Sequence, residues 1–295
     1  MDEKNEEMKK ALQALADDTN LRRLDELLKE FNIFEALGVV RQELRHSDFL
    51  RYLLDPNEGH RLKDTFAKRL LRELGLSDLA NQDLSQSQVQ REWADIDILL
   101  TDEQNRLVII VENKIDTVEH SEQLQKYLRT IRSHPRYKDW RIVALYLTPL
   151  RAAPSDSGYL AVGYAQICVV LESIAKNASQ DMQVAIRHYT QAVRRHIVGD
   201  SEEIRLSRDI YRKHKRALDF IYTYRPDHRA ELYELLVRLI TQPNLSLELD
   251  DSEQNNIRFT VKEWDPLLKK GVDWTSTGRM LLFAVANNVE SVTLG

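Results

Sequence analysis

The amino-acid sequence predicts an α/β fold, and three features of its apolar pattern carry that prediction. Over the first 75 residues, apolar side chains recur at the three- and four-residue spacing that is typical of amphipathic helices. From Val89 the spacing shortens to the period of two that strands show. A helical segment and a further apolar strand then follow along the chain. Helices, hairpin, helix and strand in this order indicate an α/β core.

The helical N-terminal layer is predicted from three amphipathic segments. Apolar residues recur at helical spacing within residues 21–31 and again within 49–53, where Asp55-Pro56 ends the run. A third segment, within residues 66–74, ends at Gly75, which is a usual signal for the C-terminus of a helix. The N-terminal part of the chain is therefore expected to be helical.

The strands follow from alternation and from β-branched residues. Residues 96–100 carry apolar side chains at every second position, residues 102–105 supply turn chemistry, and residues 107–111 form an apolar, β-branched run. This pattern predicts a β-hairpin with at least one buried strand. A helix over 119–132 and strands over 140–147 and 159–164 are expected to follow.

The remainder of the chain is predicted to be helical and then rich in strands. Helices are expected at 167–175, 182–197, 204–224 and 228–240, and strands at 245–249, 257–261, 280–285 and 289–294. We therefore divide the chain into a domain of residues 1–200 and a helical and β-rich C-terminal extension of residues 201–295. The chain stops directly after the last strand, which indicates a truncated protein.

Composition limits the classes of protein and of site. The chain has 295 residues, of which 42% are hydrophobic, and this is enough apolar material for one large or two small cores of a soluble globular protein. A single cysteine, Cys168, excludes a disulfide framework or a cysteine-based zinc site within one chain and favours a reducing compartment. Neither a signal sequence nor an apolar stretch of membrane-spanning length is evident, so a cytoplasmic protein without a membrane partner is expected.

Charge and missing motifs narrow the function further. The formal net charge of −5 means that binding to nucleic acid would need a local basic patch. The sequence contains no G-x-x-x-x-G-K, G-x-G-x-x-G or H-E-x-x-H motif, so it does not support an ATPase, a dinucleotide-dependent enzyme or a zinc protease of these types. If the activity is coupled to ATP, a partner must supply the ATPase.

Two acidic residues and a lysine converge at the end of the predicted hairpin. Asp97 lies in the first strand, and Glu112-Asn113-Lys114 ends the second. Because side chains alternate along a strand, Glu112 and Lys114 share a face. A turn centred between residues 103 and 104 places Glu112 opposite Asp95 and within two residues of Asp97, and a bulge would close that gap.

Two carboxylates and a lysine are residue types that phosphodiester hydrolysis needs. Carboxylate oxygens suit Mg²⁺, which polarises the phosphoryl oxygen and lowers the pKa of a bound water. Lys114 would neutralise developing charge and orient or help to deprotonate that water, and the sequence does not separate these roles. The alternative is that Asp97, Glu112 and Lys114 form exposed, weak ion pairs. The strand before Glu112 is too apolar for an exposed edge, which favours the functional interpretation.

An ordered series of short motifs surrounds these residues. The helical part comprises Glu43, His46-Ser47, Phe49-Leu50, Leu53-Leu54-Asp55-Pro56 and His60. The later part comprises Asp97-Ile98, Ile110-Val111-Glu112-Asn113-Lys114-Ile115, Gln123-Leu124 and Tyr127. In order and spacing, roughly residues 30 to 170 resemble the PD-(D/E)XK nuclease superfamily, and most closely a bacterial subgroup of it. Ile96 stands where the superfamily's name has proline, at a position that varies within the superfamily.

The resemblance implies a metal-dependent nuclease with a restriction-endonuclease-like αβββαβ core around a mixed sheet. The Mg²⁺ ligands that it implies are Asp97, Glu112, the carbonyl of Asn113 and the additional acidic residue Glu43. Mn²⁺ is expected to substitute for Mg²⁺. Lys114 corresponds to the residue that positions water, and Gln123 and Tyr127, which share a helix face, correspond to the position that supports the lysine or contacts the phosphate.

Two histidines and a serine near the helical motifs need a separate interpretation. His46 follows Glu43 by three residues on the same helical face, so we predict that it contacts the substrate, with a hydrogen-bonded structural role as the alternative. For His60 a structural role is favoured. Ser47 is interpreted as a helix N-cap because no Ser-His-acid arrangement accompanies it.

Basic residues cluster in two segments although the chain is acidic overall. Arg205, Arg208, Arg212 and Lys215 recur at helical spacing, and we call these four residues the basic stripe. The stripe is a candidate for binding a phosphate backbone, although a solvated helix face is the more usual meaning of such a charge run. A second candidate contact lies within residues 132–141, where Tyr137 and Trp140 are interleaved with basic residues.

The sequence therefore predicts a Mg²⁺-dependent deoxyribonuclease that acts in bacterial DNA processing or phage defence. DNA is the expected partner, and a homodimer and an ATPase or other defence-system partner are further expectations. The main alternative is a catalytically silent nucleic-acid-binding or assembly subunit with a nuclease-like fold. A hydrolase of a small phosphodiester or nucleotide is a second alternative, and it would need a closed pocket.

Overall fold

The computed structural model describes residues 2–117, 122–225, 228–271, 275–288 and 291–294. The chain forms two compact units, Met1–Lys215 and Arg216–Gly295. The functional division between residues 200 and 201 stays a prediction. Among the described residues, no helix is both long enough and apolar enough to cross a membrane.

Helices precede the sheet in the first unit, as the sequence predicts. Their bounds are α1 Asp2–Ala16, α2 Thr19–Leu28, α3 Ile33–Ala36, α4 Glu43–Leu54, α5 Thr65–Glu73 and α6 Ser77–Ala80. Asp18 and Asn32 are the N-caps of α2 and α3, because their side chains accept backbone N–H groups that the first helical turn leaves unpaired. The buried residues of α5 include Phe66, Leu70 and Leu71, so this helix presents one apolar face to the core.

A mixed sheet of five strands lies at the centre of the part of the first unit that the structure describes. Its strands lie side by side in chain order: β1 Gln88–Trp93, β2 Ile96–Asp102, β3 Leu107–Asn113, β4 Arg141–Thr148 and β5 Tyr159–Gly163. The β1–β2 and β2–β3 pairs are antiparallel, whereas the β3–β4 and β4–β5 pairs are parallel. Helix α7, Gln123–Ser133, lies in the crossover that joins parallel β3 and β4. The order α4, β1, β2, β3, α7, β4 confirms the αβββαβ core.

Both faces of β2 and β3 are covered, which explains their nearly continuous apolar sequence. One face contributes Ile98 and Val111 to a core shared with α4, α5, α8 (Tyr164–Ala175) and α9 (Gln180–Val193). The other face contributes Ile110 to a core with Leu124 and its neighbours on α7. A charged side chain on either strand is therefore withdrawn from bulk water and needs a partner.

The β2–β3 hairpin differs from the predicted register. Ile98 pairs with Val111, so the turn is centred between residues 104 and 105 instead of 103 and 104. The Asp102 side chain accepts the N–H of Asn105 at 2.8 Å, and Arg106 has a φ of 48°, which closes the longer turn. Continued by one residue, this register places Asp97 opposite Glu112. The predicted pairing of Glu112 with Asp95 is wrong, and the two carboxylates meet without a bulge.

Strand β1 forms a second hairpin with β2, which the apolar pattern of the sequence does not predict. Ala94 and Asp95, which join β1 to β2, have φ values of 51° and 70°. This left-handed conformation is typical of two-residue hairpin turns, where asparagine and glycine are the usual signal. Ala-Asp gives a weaker signal, which explains the omission. The predicted start of α7 at Glu119 lies outside the described residues.

The C-terminal part is helical and then β-rich, as predicted. Helix α10, Glu202–Thr223, has a non-helical residue at His214, and α11 is His228–Ile240. In the second unit the strands pair antiparallel in the order β6 Leu247–Leu249, β7 Asn256–Val261, β8 Phe283–Asn287 and β9 Val292–Leu294. Ile240, Ile257 and Val285 form the core of this unit. Val289, where the last strand was expected to begin, lies outside the described residues.

Candidate active site

Asp97 and Glu112 meet at one end of the sheet, on the face that α7 covers. The β2–β3 pairing ends with Ile98 and Val111, and its continuation by one residue places Asp97 opposite Glu112, on the same face of the sheet. The backbone N–H of Asn113 donates to Oδ2 of Asp97 at 2.8 Å. The sheet itself therefore fixes the distance between the two carboxylates and orients that of Asp97.

Glu112 is the most buried charged group of this cluster, with 1% of the residue exposed. Its Oε1 accepts hydrogen bonds from Nζ of Lys114 and from Nε2 of Gln123, both at 2.9 Å. Gln123 also donates to the hydroxyl of Tyr127 at 2.8 Å, so α7 contributes two of its side chains to the site. The other oxygen, Oε2 of Glu112, is buried and has no protein partner. A buried carboxylate oxygen without a donor is costly unless a ligand or ion binds it.

Burial and like charge act on the protonation of the site. Burial and, to a smaller extent, the Asp97 carboxylate raise the pKa of Glu112 to about 7, although Lys114 opposes both effects. Burial also raises the pKa of Asp97, although the hydrogen bond from Asn113 opposes this. Burial lowers the pKa of Lys114, but its hydrogen bond to Glu112 and the nearby carboxylates outweigh that effect, and its pKa is raised overall. The site therefore combines a protonated lysine with two carboxylates that a further cation would stabilise.

The donor atoms fit a hard divalent cation. The candidate oxygens are those of Asp97 and Glu112 and the main-chain carbonyl of Asn113, and Mg²⁺ prefers few protein oxygens while it retains several waters. The buried, unpartnered Oε2 of Glu112 is the structural observation that favours such an ion. Among the described residues there is no group of three or more His, Cys, Asp or Glu side chains that could hold a metal. Any ion at this site would therefore rely on the carbonyl and on water as well as on the two carboxylates.

Glu43, at the first turn of α4, contacts the loop that follows β3. Its Oε1 accepts the backbone N–H groups of Ile115 at 2.7 Å and of Asp116 and Thr117 at 3.1 Å. The Thr117 hydroxyl lies 2.8 Å from Oε1 and 3.0 Å from Oε2. The backbone bonds contribute to lowering the pKa of Glu43 although burial opposes them. In this structure the carboxylate binds the loop, and its predicted role as a metal ligand stays a prediction.

The side chain of Asn113 anchors the end of β3 to the opposite core. Its amide donates to Oγ of Ser47 at 3.0 Å and to the backbone carbonyl of Glu43 at 3.1 Å. Its Oδ1 accepts the hydroxyl of Tyr164 at 2.7 Å, and Tyr164 is fully buried. Ser47 is thus an internal residue of α4, and the interpretation of Ser47 as an N-cap is wrong because Gln42 holds that position. Sequence reasoning missed Tyr164, since nothing local marks a tyrosine 51 residues away as a partner of Asn113.

Both histidines of the helical motifs lie in the interior. His46 is 3% exposed, and its Nδ1 and Nε2 lie 3.0 Å from the Tyr189 hydroxyl and the Val40 carbonyl. Neither ring nitrogen is available for the predicted substrate contact, so the structure places His46 in its alternative, structural role. His60 is also buried, and it bonds the Asp55 carbonyl and the Leu62 N–H. The structural role favoured for His60 is confirmed.

The basic candidates lie on the surface. All four residues of the basic stripe are exposed on α10, where Arg212 contacts Asp209 and Lys215 lies 5.6 Å from the ring centre of Tyr211. Within the second candidate segment, Arg136 pairs with Glu103 and Arg141 pairs with Asp78. These two arginines are therefore partly neutralised, whereas the role of the basic stripe stays a prediction.

An open depression of about 720 Å³ adjoins the site along α7. Gln123 and Tyr127 contribute to its lining, together with two basic and two acidic residues, and Lys126 pairs with Asp95 at 2.8 Å. Its open shape is better suited to a polymer strand than to a small molecule, which a protein usually encloses.

A comparison with family models places residues 31–213 within the PD-(D/E)XK nuclease superfamily. This segment is well over half of the chain and contains every residue of the site described above. No curated protein and no solved structure matches the chain.

Proposed function

The chain belongs to the PD-(D/E)XK nuclease superfamily, and from that membership we propose that it is a Mg²⁺-dependent deoxyribonuclease that hydrolyses DNA phosphodiester bonds. The observation that carries the proposal is the buried, unpartnered Oε2 of Glu112 beside Asp97 and the Lys114 ammonium. The ion pair with Lys114 leaves this oxygen unsatisfied, and a bound cation would offset the cost of burying it.

The residues that would hold Mg²⁺ are Asp97 and Glu112, through their carboxylates, and Asn113, through its main-chain carbonyl. When bound, Mg²⁺ supplies a Lewis acid that polarises the phosphoryl oxygen and activates water. Mn²⁺ is expected to substitute, since the same oxygen donors suit it. Gln123 holds Glu112 in place through a hydrogen bond to Oε1, while Oε2 has no protein donor.

Lys114 would stabilise charge. Its raised pKa keeps the ammonium protonated in the free protein, which favours a role in neutralising the phosphoryl group and orienting water over proton abstraction. A preorganised cation at a developing negative charge is typically worth about a hundredfold or more in rate. Tyr127 supports the site through Gln123 and lies at the edge of the open depression.

DNA is proposed as the substrate on the basis of the family, the open depression beside the site and the exposed basic stripe. Arg205, Arg208, Arg212 and Lys215 would bind phosphates outside the cleavage site, and such contacts carry no base specificity. A role in bacterial DNA processing or phage defence, a homodimer, an ATPase or other defence-system partner and a cytoplasmic location remain predictions from the sequence.

The test is cleavage of linear, circular and single-stranded DNA and of RNA, with Mg²⁺, with Mn²⁺ and with EDTA. Asp97→Ala and Lys114→Ala are compared with the unchanged chain. Glu103→Ala and Lys10→Ala are the matched controls, because both side chains are exposed and lie outside the site. We expect metal-dependent cleavage of DNA that both site substitutions abolish and both controls retain.

Two other results would contradict the proposal. Cleavage of RNA alone would change the substrate class. An absence of cleavage with every substrate, together with salt-dependent DNA binding that Asp97→Ala and Lys114→Ala retain, would favour the catalytically silent binding subunit.

A further inference from the structure

We propose that Glu43 is a positioning residue for Lys114, and that its carboxylate acts by holding the loop 115–117 and not by binding the metal. The inference concerns the site of the proposed function and rests on it. It departs from the expectation that the resemblance gives for an acidic residue at this place on α4.

The hydrogen bonds of Glu43 carry the argument. Three consecutive backbone N–H groups converge on Oε1, at 2.7 Å for Ile115 and 3.1 Å for Asp116 and Thr117. Successive amides that converge in this way form a concave anion-binding site, which here is filled by a carboxylate of the same chain. Together with the Thr117 hydroxyl, these donors exceed what one carboxylate oxygen usually accepts. Removing Oε1 from the loop would leave three amides without their acceptor.

The loop begins directly after Lys114, so its anchoring sets the direction of that side chain. The N–H of Lys114 donates to the carbonyl of Leu147 on β4 at 2.9 Å, and the N–H of the next residue, Ile115, donates to Glu43. Hydrogen bonds at both flanking amides fix the backbone dihedral angles of Lys114. This backbone sets the direction in which the side chain leaves the chain, and the Lys114 ammonium lies 2.9 Å from Oε1 of Glu112.

Arg41, two residues before Glu43, makes a second contact with the loop 115–117. The guanidinium of Arg41 donates to both carboxylate oxygens of Asp116, at 3.2 and 2.9 Å from Nε, and also to the carbonyl of His196. Residues 41 and 43 therefore bind the side chain and the backbone of one short loop.

Glu43→Gln and Glu43→Ala separate the two roles. Both substitutions remove the same negative charge, so any through-space effect on metal affinity is common to both. Glutamine retains an oxygen that can accept the three amides, and alanine does not. In the metal-free protein, the difference between the two variants in loop exchange therefore measures the hydrogen bonds to the loop, while their shared effect measures the charge.

The experiment uses the full chain and three measurements. Mg²⁺ binding is measured by calorimetry without substrate, hydrogen exchange is followed in peptides that contain residues 115–117, and kcat and KM are measured for DNA cleavage. We expect exchange in the loop to accelerate by about tenfold or more in Glu43→Ala and to stay close to the unchanged chain in Glu43→Gln. We expect kcat to fall by about tenfold or more in Glu43→Ala alone, with KM and Mg²⁺ affinity the same in the two variants.

Three results would overturn the inference. One is loss of Mg²⁺ binding in Glu43→Gln to the extent seen in Asp97→Ala. Another is an equal loss of kcat in Glu43→Gln and Glu43→Ala, and the third is unchanged loop exchange in Glu43→Ala. If Glu43→Ala does not fold, Thr117→Val removes one donor and must accelerate the same exchange. If the unchanged chain cleaves nothing, the proposed function fails, and exchange and Mg²⁺ binding still decide the role of Glu43.

Discussion

Replacing Glu112 by glutamine is expected to abolish cleavage and yet to stabilise the metal-free protein at high pH. The pKa of Glu112 is raised from its ordinary value of 4.5 to about 7, first by burial and then by the charge of Asp97. A carboxyl group whose pKa is raised by folding takes up a proton when the chain folds. Its contribution to stability is therefore present below pH 4.5 and is lost as the pH rises through 7. Glutamine resembles the protonated acid and does not ionise, so it avoids this loss.

The size of the effect follows from the two pKa values. The interval between 4.5 and about 7 corresponds to about 3 kcal/mol at pH 8, because one pH unit is worth about 1.4 kcal/mol. Glu112 is only 1% exposed, so solvent screening reduces this value little. At pH 5 the same calculation leaves less than about 1 kcal/mol.

Thermal unfolding of both proteins in EDTA between pH 5 and pH 8 checks this prediction. At pH 8 we expect Glu112→Gln to raise the unfolding midpoint by roughly 6–12 °C, and at pH 5 the difference should largely disappear. Glu103→Gln, at an exposed carboxylate in the β2–β3 turn, is the control and should change little at either pH. A Glu112→Gln protein that is less stable than the unchanged chain at pH 8, or equally stable at every pH, would refute the reasoning.

Three further predictions concern the support of the site and the substrate. Tyr164→Phe removes the donor to the buried Oδ1 of Asn113 and should lower the free energy of unfolding by about 1–3 kcal/mol in urea titrations. The control is Tyr222→Phe, at a side chain that is 66% exposed, and it should change this free energy by less than about 0.5 kcal/mol. Equal effects of the two substitutions would contradict the role of Tyr164 as an anchor of Asn113. Mg²⁺ at a hundred times its dissociation constant should stabilise the unchanged chain by about 2.7 kcal/mol. Calorimetric unfolding of Asp97→Asn at the same Mg²⁺ concentration should show a much smaller stabilisation, and an equal stabilisation would mean that Asp97 is not a ligand. Replacing the four residues of the basic stripe by glutamine should make the plot of log binding constant against log salt concentration less steep, by about 0.9 for each phosphate that the chain no longer binds. An unchanged slope in DNA titrations would show that the stripe is a solvated helix face.

The local pattern of the sequence was sufficient to predict which residues share a face of a strand and which residues are candidates for catalysis. A period of two places Glu112 and Lys114 on one face of β3 wherever that strand lies, because alternation is a property of the extended backbone. The continuous apolar run before Glu112 likewise requires a strand covered on both sides, which is what the structure contains. The α/β class followed from such local signals and their order, whereas the mixed sheet was an expectation from the resemblance to the family.

Short-range reasoning failed where a turn or a contact depends on geometry that the pattern does not specify. The β2–β3 register rests on a bond from Asp102 to Asn105 and on a left-handed Arg106, and both are compatible with the turn composition that suggested a different centre. His46 follows Glu43 by three residues on α4, but the tertiary fold packs the His46 ring against Tyr189 and the Val40 carbonyl, while Glu43 contacts the loop after β3. Helical spacing identifies neighbours along one element and not what packs against them.

What the sequence by itself determined was therefore the fold class and the residue types of the site, because periodicity is written into each element separately. Only the tertiary structure decided that Asp97 lies opposite Glu112, that Glu43 binds the amides of residues 115–117, and that Tyr164 anchors Asn113. The Glu43 and Tyr164 contacts join residues that are 72 and 51 positions apart. Such contacts form because burial leaves each polar group only the partners that the packed elements bring to it.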